Sequence, residues 1–442
     1  MAVNKEEARE VVEKIEGVFD KVTAALPSKA KEFLREKILG GVIKEIKEYV
    51  TESRPPSLFL IGRSGHGKSS LINSLTNREV AEVGDVKPTT PETRCYNIVF
   101  EGLYSSWNVC DSRGLFETTT PEGASLENAK ERLKKDLVEK KPDILLHVVS
   151  ATEVRNLEQD FIVYKEIQHV LEKELGVLPP TIMVLTKVDH LGNPREWPPE
   201  EYPEKKKIIR EVLDYMLCDV IKGKLGEDVN LVPLVAGEPE RGYVVEGKVE
   251  KMAGYIGIIP VCALAGEWWN IEKLSEFIGS KLPASAVLQF FQAQRRKGLM
   301  KKFAGKMVNI FSRIAGGIGA SPMPISDIMV LLPLQYSLIA LIASLSCRKM
   351  SQETVEEFLA ACRTTTLVGI GLRELFRQLI KIFIGPGAVL SAAIAAAGTW
   401  VIGQGAIWYF FDGITGKELL RRMKEIWKEK IKEMKERFKN KG

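Results

Sequence analysis

The sequence predicts an α/β domain, built on a doubly wound and mainly parallel sheet, together with an α-helical domain drawn from both ends of the chain. Three observations predict it. Short apolar runs recur between residues 57 and 280, at Ser57–Ile61, Trp107–Cys110, Ile144–Val149, Thr181–Leu185 and Ile258–Val261. Each is strand-length and apolar throughout, the pattern of parallel strands covered on both faces. They alternate with charged stretches of helical period, as successive βαβ units do. Outside that zone both ends of the chain read as helices alone. The chain therefore divides into N-terminal helices at 1–54, an α/β domain at 55–282 with an insertion at about 190–257, and a C-terminal helical domain at 283–442.

The N-terminal segment carries Ala8, Val11, Val12, Ile15, Phe19, Val22 and Leu26 at helical spacing, and Pro27-Ser28 restarts the pattern. Phe33, Leu34, Ile38, Ile43, Ile46 and Val50 continue it, and Arg54-Pro55-Pro56 closes it. These read as two helices packed on a neighbouring domain. Inside the insertion, a charged helix is expected near 203–224 and a β-hairpin near 230–250.

At 442 residues and 45% apolar composition, the chain can bury more than one core. The net charge of +5 is unevenly placed. From Lys417 onward, eleven Lys/Arg face five Glu, a net of +6 that leaves the rest near −1. A neutral body with a basic tail argues against a general nucleic-acid binder. The six cysteines are scattered, with no C-x-x-C pair, which suggests a reducing compartment and no zinc site. With no apolar leader core near the N-terminus, a cytoplasmic protein is expected.

The strongest motif is Gly62-Arg63-Ser64-Gly65-His66-Gly67-Lys68-Ser69, which fits G-x-x-x-x-G-K-[ST]. It follows an apolar strand and opens a helix at Ser70, the context the motif requires. Small residues let successive N–H groups surround phosphates. Lys68 supplies a point charge to the β/γ-phosphates, and the Ser69 hydroxyl is a Mg²⁺ ligand. Arg63 and His66 read either as exposed loop residues or as groups acting across a dimer.

Thr186-Lys187-Val188-Asp189 ends another strand and selects guanine over adenine. A carboxylate at Asp189 accepts from the two N–H groups on the guanine edge, a donor pair adenine lacks. The Lys187 stem covers the base face. Asp111-Ser112-Arg113-Gly114 fits D-x-x-G, with Asp111 on Mg²⁺ through water and the Gly114 N–H on the γ-phosphate. Between these lies the loop Lys87-Pro88-Thr89-Thr90-Pro91, where Thr90, ahead of Thr89, is the expected γ-phosphate-dependent Mg²⁺ ligand. Cys262-Ala263-Leu264 matches a weak fifth guanine-site motif. His147 and His169 are read as core or surface residues, since no cluster has metal-ligand spacing.

Together these motifs resemble the Era-like and immunity-related (dynamin-like) branches of the GTPase superfamily, over about half the chain. Thr89 and Thr90 follow the P-loop lysine by 21 and 22 residues, similar to Era-like proteins. The resemblance implies a Ras-like sheet and Mg²⁺-dependent hydrolysis of GTP to GDP, with Lys68, Thr90 and Gly114 in catalytic positions. Two departures matter. Arg113 precedes the D-x-x-G glycine, and Leu115 follows it where Ras-like enzymes carry a water-orienting glutamine. A hydrocarbon chain orients no water by hydrogen bonding. The catalytic aid then comes from a switch residue, a bound K⁺ or a second subunit, and slow basal turnover is expected.

The segment Gly316–Asp327, with its Pro-x-Pro-x-x-Asp step, and Gly403-Gln404-Gly405 resemble a YcjF-like helical family found near or fused to Era-like GTPases. That resemblance implies helices and membrane proximity. Ile328–Ser346 has 19 uncharged residues and 382–411 has 30, each long enough to span a bilayer. Basic residues flank both outer ends (Arg295, Arg296, Lys297, Lys301 and Lys302 before, the Lys-rich tail after), which would place both in the cytoplasm. Ala/Gly-rich helices also pack inside soluble domains, so spanning, surface contact and burial stay open. In the tail, Leu420, Met423, Trp427, Ile431, Met434 and Phe438 form one apolar stripe.

Two functions compete. One is a self-associating GTPase at or near an anionic membrane surface, as a nucleotide-dependent homodimer or oligomer. The other is a GTP-regulated switch that binds a protein partner, with slow hydrolysis as its reset. No nucleic-acid partner is expected, because no basic RNA-binding domain bearing G-x-x-G follows the α/β domain.

Overall fold

The computed structural model describes residues 54–77, 94–100, 105–111, 134–176, 178–224, 230–245, 254–294, 297–319, 328–346, 348, 352–362 and 392–439. The predicted N-terminal helices, Thr90 and Gly114 lie outside them. So does the Pro-x-Pro-x-x-Asp step. The chain falls into two compact units, one holding Pro55–Phe100 and Ser106–Pro283, the other holding Ala284–Gly442.

The first unit is built on one eight-stranded sheet. Its strands are β1 (Ser57–Ile61), β2 (Arg94–Phe100), β3 (Ser105–Asp111), β4 (Ile144–Ser150), β5 (Thr181–Thr186), β6 (Leu231–Pro233), β7 (Tyr243–Val245) and β8 (Tyr255–Pro260). Their order is β2-β3-β1-β4-β5-β8-β7-β6. β3, β1, β4, β5 and β8 run parallel, so the five predicted runs form the sheet's centre. β4 and β5 are buried at every position, which is why they read as unbroken apolar runs. Helices α1 (Lys68–Thr76), α2 (Glu158–Leu175), α3 (Pro203–Asp214) and α4 (Ile271–Lys281) complete this unit. The mainly parallel α/β class is therefore present as expected.

The insertion carries the helix expected near 203–224 and the hairpin expected near 230–250. Its hairpin, β6 with β7, pairs antiparallel onto β8 and extends the sheet rather than standing apart. Its helix α3 continues as a π-helical stretch, Tyr215–Lys224. β2 was not foreseen, because Arg94-Cys95-Tyr96-Asn97 interrupts any continuous apolar run. Cys110 on β3 is disulfide-bonded, while Cys218, Cys262 and Cys362 are free.

The second unit packs α5 (Ala284–Ala293), α6 (Lys297–Gly319), α7 (Ile328–Leu345), α8 (Gln352–Ala361), α9 (Ala392–Asp412) and α10 (Gly416–Lys439). α9 is its centre, in contact with α6, α7 and α10. Close approach is possible because Gly403 carries no side chain: a Cβ there would lie 2.6 Å from Val308 Cγ2 and 2.9 Å from Leu338 Cδ2. At Gly405 a Cβ would meet Met423 Sδ at 2.7 Å. The Gly-Gln-Gly step is thus a packing device. Ser312 Oγ donates to Ala396 O at 2.7 Å, and Gln335 Nε2 to Thr399 Oγ1 at 3.3 Å, tying the apolar helices by internal polar bonds.

Among the described residues, one helix is long and apolar enough to cross a membrane, Ala393–Asp412, and 67% of its apolar window is buried. The tail's apolar stripe also turns inward. Leu420 and Met423 are buried, and Trp427 and Ile431 pack on Ala393, Ala396 and Ala397. Lys430 Nζ sits 4.3 Å from the Trp400 ring centroid.

Candidate functional site

β1 delivers the chain into the loop Gly62–Gly67 at the carboxyl edge of the sheet, where α/β proteins bind ligands. Gly62 has φ 147°, and a Cβ there would lie 2.1 Å from the Val148 carbonyl oxygen. Only glycine lets the loop pass so close to β4. Gly67, at φ 85° and ψ 22°, turns the chain into α1 in the left-handed region. Lys68 is buried at the first turn of that helix. Its Nζ donates to Gly62 O at 2.8 Å and Arg63 O at 2.9 Å, holding the ammonium over the loop. Ser64 and Gly65 are exposed at the loop's crest.

Arg63 and His66 correct the exposed-loop reading, since each is held by partners within the chain. Arg63 donates from Nε to the Asp160 carboxylate at 3.0 and 3.2 Å and from its terminal nitrogen to Asn156 O at 2.7 Å. Asp160 is fully buried. Burial raises its pKa, and the Arg63 bonds oppose that rise. The His66 ring is 1% exposed and lies 3.3 Å from Val148 O and 3.2 Å from Glu153 Oε2. Burial holds its pKa below 6.5, against the pull of Glu153. Both side chains brace the P-loop from within.

The guanine-side motifs converge on the same loop. Thr186 Oγ1 donates to His66 O at 2.5 Å and lies 3.2 Å from Val149 O. A Cβ on Gly67 would lie 3.6 Å from Thr186. Lys187 follows at φ 57°, and Val188–His190 form a 3-10 turn that carries the nearly buried Asp189. Cys262 ends the run after β8, its backbone paired both ways with Trp269 at 3.2 and 3.1 Å. Burial pushes its thiol up to about 12, and the negative charge of Asp189 acts in the same direction. Asp189 and Cys262, 73 residues apart in sequence, are therefore brought close together and both buried, with Ala263 beside Cys262 and Leu264 exposed.

The β1–β3 register pairs Leu60 with Asp111, so Asp111 leaves the sheet beside the P-loop. Ser69 lies next to Lys68 in the first turn of α1. Thr90 and Gly114, the other two residues expected here, lie outside the described residues. His147 is the buried core histidine expected: its Nδ1 is 2.6 Å from Tyr255 Oη, and burial first, then His66, lowers its pKa to about 3. His169 is exposed. No group of three metal-binding side chains occurs among the described residues.

Sequence reading missed the braces behind the pocket. Lys205 on α3 is fully buried and donates to the carbonyls of Asp189 at 2.9 Å, Asn193 at 2.8 Å and Leu191. Glu200 Oε1 accepts from Trp269 Nε1 and Arg241, both at 2.8 Å. Nothing local in a Lys/Glu-rich helix distinguishes Lys205 from its exposed neighbours.

Residues 57–187 match the family described as 50S ribosome-binding GTPase. The chain carries a P-loop GTPase domain. GTP hydrolysis is the reaction of this domain, and guanine nucleotide is its ligand. Curated relatives include the tRNA modification GTPase MnmE of Proteus mirabilis, 27% identical over 233 residues, covering 49% of this chain and 48% of the relative. MnmE of Mesomycoplasma hyopneumoniae is 33% identical over 95 residues, 21% of this chain and 20% of the relative. The chain spans less than half the length of these curated relatives. Among solved structures, Era in complex with MgGDPNP and a 16S ribosomal RNA segment has a TM-score of 0.31 at 18% identity, covering 60% of this chain and 68% of that one. A member of an oligomerised bacterial dynamin pair has a TM-score of 0.30 at 11% identity, covering 98% and 79%.

Proposed function

We propose that this GTPase domain binds GTP with its phosphates in the Gly62–Gly67 loop and its base against Thr186–Asp189 and Cys262–Leu264, hydrolyses it to GDP, and self-associates at or near a membrane surface. The observation that carries the binding half is the Thr186–His66 bond, which couples the base-reading strand end to the phosphate loop. Backbone N–H groups of Ser64, Gly65, His66, Gly67, Lys68, Ser69 and Ser70 form the phosphate cradle at the start of α1. Lys68 places its charge on the β/γ-phosphates. Asp189 accepts from the guanine edge, and Lys187 covers the base.

The residues fit Mg²⁺, because the Ser69 hydroxyl and the carboxylate of Asp111, which the β1–β3 register brings beside the P-loop, are the hard oxygen donors this ion takes. By the resemblance, Thr90 would complete the set in the GTP state and the Gly114 N–H would meet the γ-phosphate. The ion supplies charge neutralisation on the phosphate oxygens. With Leu115 in place of a water-orienting glutamine, basal turnover is slow and a second copy of the chain accelerates it.

The membrane half rests on the charge of α10. Its apolar residues Trp427 and Ile431 pack on α9, and its lysines and arginines are the groups to meet anionic headgroups. The test measures GTP turnover per molecule over a wide range of protein concentration, with and without anionic vesicles. Turnover that rises with concentration and with vesicles supports the reading. Turnover flat in both leaves a slow switch that binds a protein partner and sinks the self-association and membrane claims.

A further inference from the structure

We infer that Lys205 is the positioning residue of the guanine-reading loop: its buried ammonium gathers the carbonyls of residues 189, 191 and 193 around one point and so fixes where the Asp189 carboxylate meets the base. The inference rests on the reading of Asp189 as the guanine acceptor.

The argument begins where β5 ends. After Thr186 the chain turns left-handed at Lys187, passes one 3-10 turn, and runs to α3 through Pro194, Pro198, Pro199 and Pro203. This stretch joins no strand of the sheet, so its inward carbonyls need a donor from elsewhere. Lys205, in the first turns of α3, supplies it. An ammonium offers three N–H donors from one point, and three carbonyls converge on it. Burying a cation without such partners would be strongly unfavourable, and here the side chain is fully buried. Asp189 and Glu196 are the anions that face it.

The consequence is specific to the base. One of the three bonds goes to the Asp189 carbonyl itself, so the backbone carrying the guanine acceptor is held directly. The Asp189 carboxylate is also met within the loop, where His190 Nε2 lies 3.3 Å from its Oδ2. The inserted segment steadies the opposite wall as well, through Glu200 and Arg241 on Trp269 and through Asn270 Nδ2, which donates to Arg241 O at 2.8 Å and Pro260 O at 2.7 Å. The phosphate cradle has its own braces, Arg63 and His66, and none of them touches Lys205. Loss of the ammonium should therefore change which base is preferred and leave phosphate binding intact.

The experiment measures affinities of the full chain for GDP and for IDP, whose base lacks the exocyclic amine, in wild type, Lys205→Met and Lys205→Arg. Wild type should prefer GDP by about tenfold or more, the worth of one hydrogen bond to a charged group. In Lys205→Met the GDP affinity should fall by more than the IDP affinity, because IDP offers Asp189 one N–H group where GDP offers two, bringing the ratio toward one. Lys205→Arg keeps the charge but spreads its donors in a plane, so its ratio should lie between. A ratio unchanged in Lys205→Met, with both affinities falling together or neither falling, overturns the inference. If Lys205→Met does not fold, Lys205→Arg decides by the same criterion. A wild type that binds both nucleotides equally sinks the guanine reading of Asp189, and the inference with it.

Discussion

The hydroxyl of Thr186 donates to the carbonyl of His66 at 2.5 Å, joining two segments 120 residues apart in sequence. The bond is buried, so its loss leaves an acceptor without water. Thr186→Val keeps the shape and removes the donor. An acceptor stranded in this way costs about 1–3 kcal/mol. Nucleotide affinity should fall by roughly tenfold, and Thr186→Ser should recover most of it. Titration with a fluorescent GDP analogue reads both variants. Equal affinity in Thr186→Val and wild type would mean the loop and strand end are held together by packing alone.

Arg63 offers a second test, because it is engaged with the buried carboxylate of Asp160. Arg63→Ala strands a buried carboxylate, and breaking such a pair from one side costs about 3–5 kcal/mol. Arg63 retains 17% side-chain exposure, so the lower end is expected. Denaturant unfolding should show that loss, and Arg63→Ala combined with Asp160→Asn should restore part of it. The dependence of turnover on protein concentration should keep its slope in both variants. A slope abolished by Arg63→Ala at unchanged stability would return the residue to a dimer contact.

The GTPase motifs were legible in the sequence because phosphate chemistry demands particular backbones at fixed local spacing. Gly62 must be glycine to pass Val148 O, and Gly67 must turn left-handed into α1. The five central strands were legible because both faces are covered. What stayed hidden depends on long-range partners. Arg63 and Asp160 are 97 residues apart, and Lys205 reaches back 12 to 16 residues from a helix whose lysines look alike. β6 and β7 have three residues each, too short for any period to register. The tail stripe was read correctly as an apolar face, but sequence alone could not say that α9 covers it.

His147 gives the chain a pH dependence of defined sign. Its pKa is near 6.5 when unfolded and about 3 in the fold, because burial disfavours the charged ring. Above pH 6.5 both states are neutral and its contribution is complete. Between 6.5 and about 3 the unfolded chain binds the extra proton, so stability falls as pH falls. His66, also lowered by burial, acts in the same direction. Replacing His147 with Phe removes one of the two. Urea unfolding from neutral to mildly acidic pH should give a shallower decline for His147→Phe than for wild type. Superimposable slopes would assign the acid sensitivity elsewhere.

Gly403 tests whether the second unit depends on close helix approach. A methyl at that position would sit 2.6 Å from Val308 Cγ2 and 2.9 Å from Leu338 Cδ2, well inside contact distance. Val308 is β-branched and its χ1 has little freedom on α6, so it cannot swing aside. Overpacking of this kind costs about 1–3 kcal/mol, while Gly to Ala in a helix interior returns at most about 1. Gly403→Ala should therefore lower stability on balance. Gly405→Ala is the internal comparison, since its added methyl would meet the flexible Met423 side chain, which can move. It should be close to neutral. Thermal unfolding of the two variants separates the cases, and because the chain has two units, the transition to follow is that of the helical one, reported by its tryptophans Trp400, Trp408 and Trp427. If Gly403→Ala proves as stable as wild type, α6 and α7 can yield around α9, and the Gly-Gln-Gly step must be explained by something other than packing.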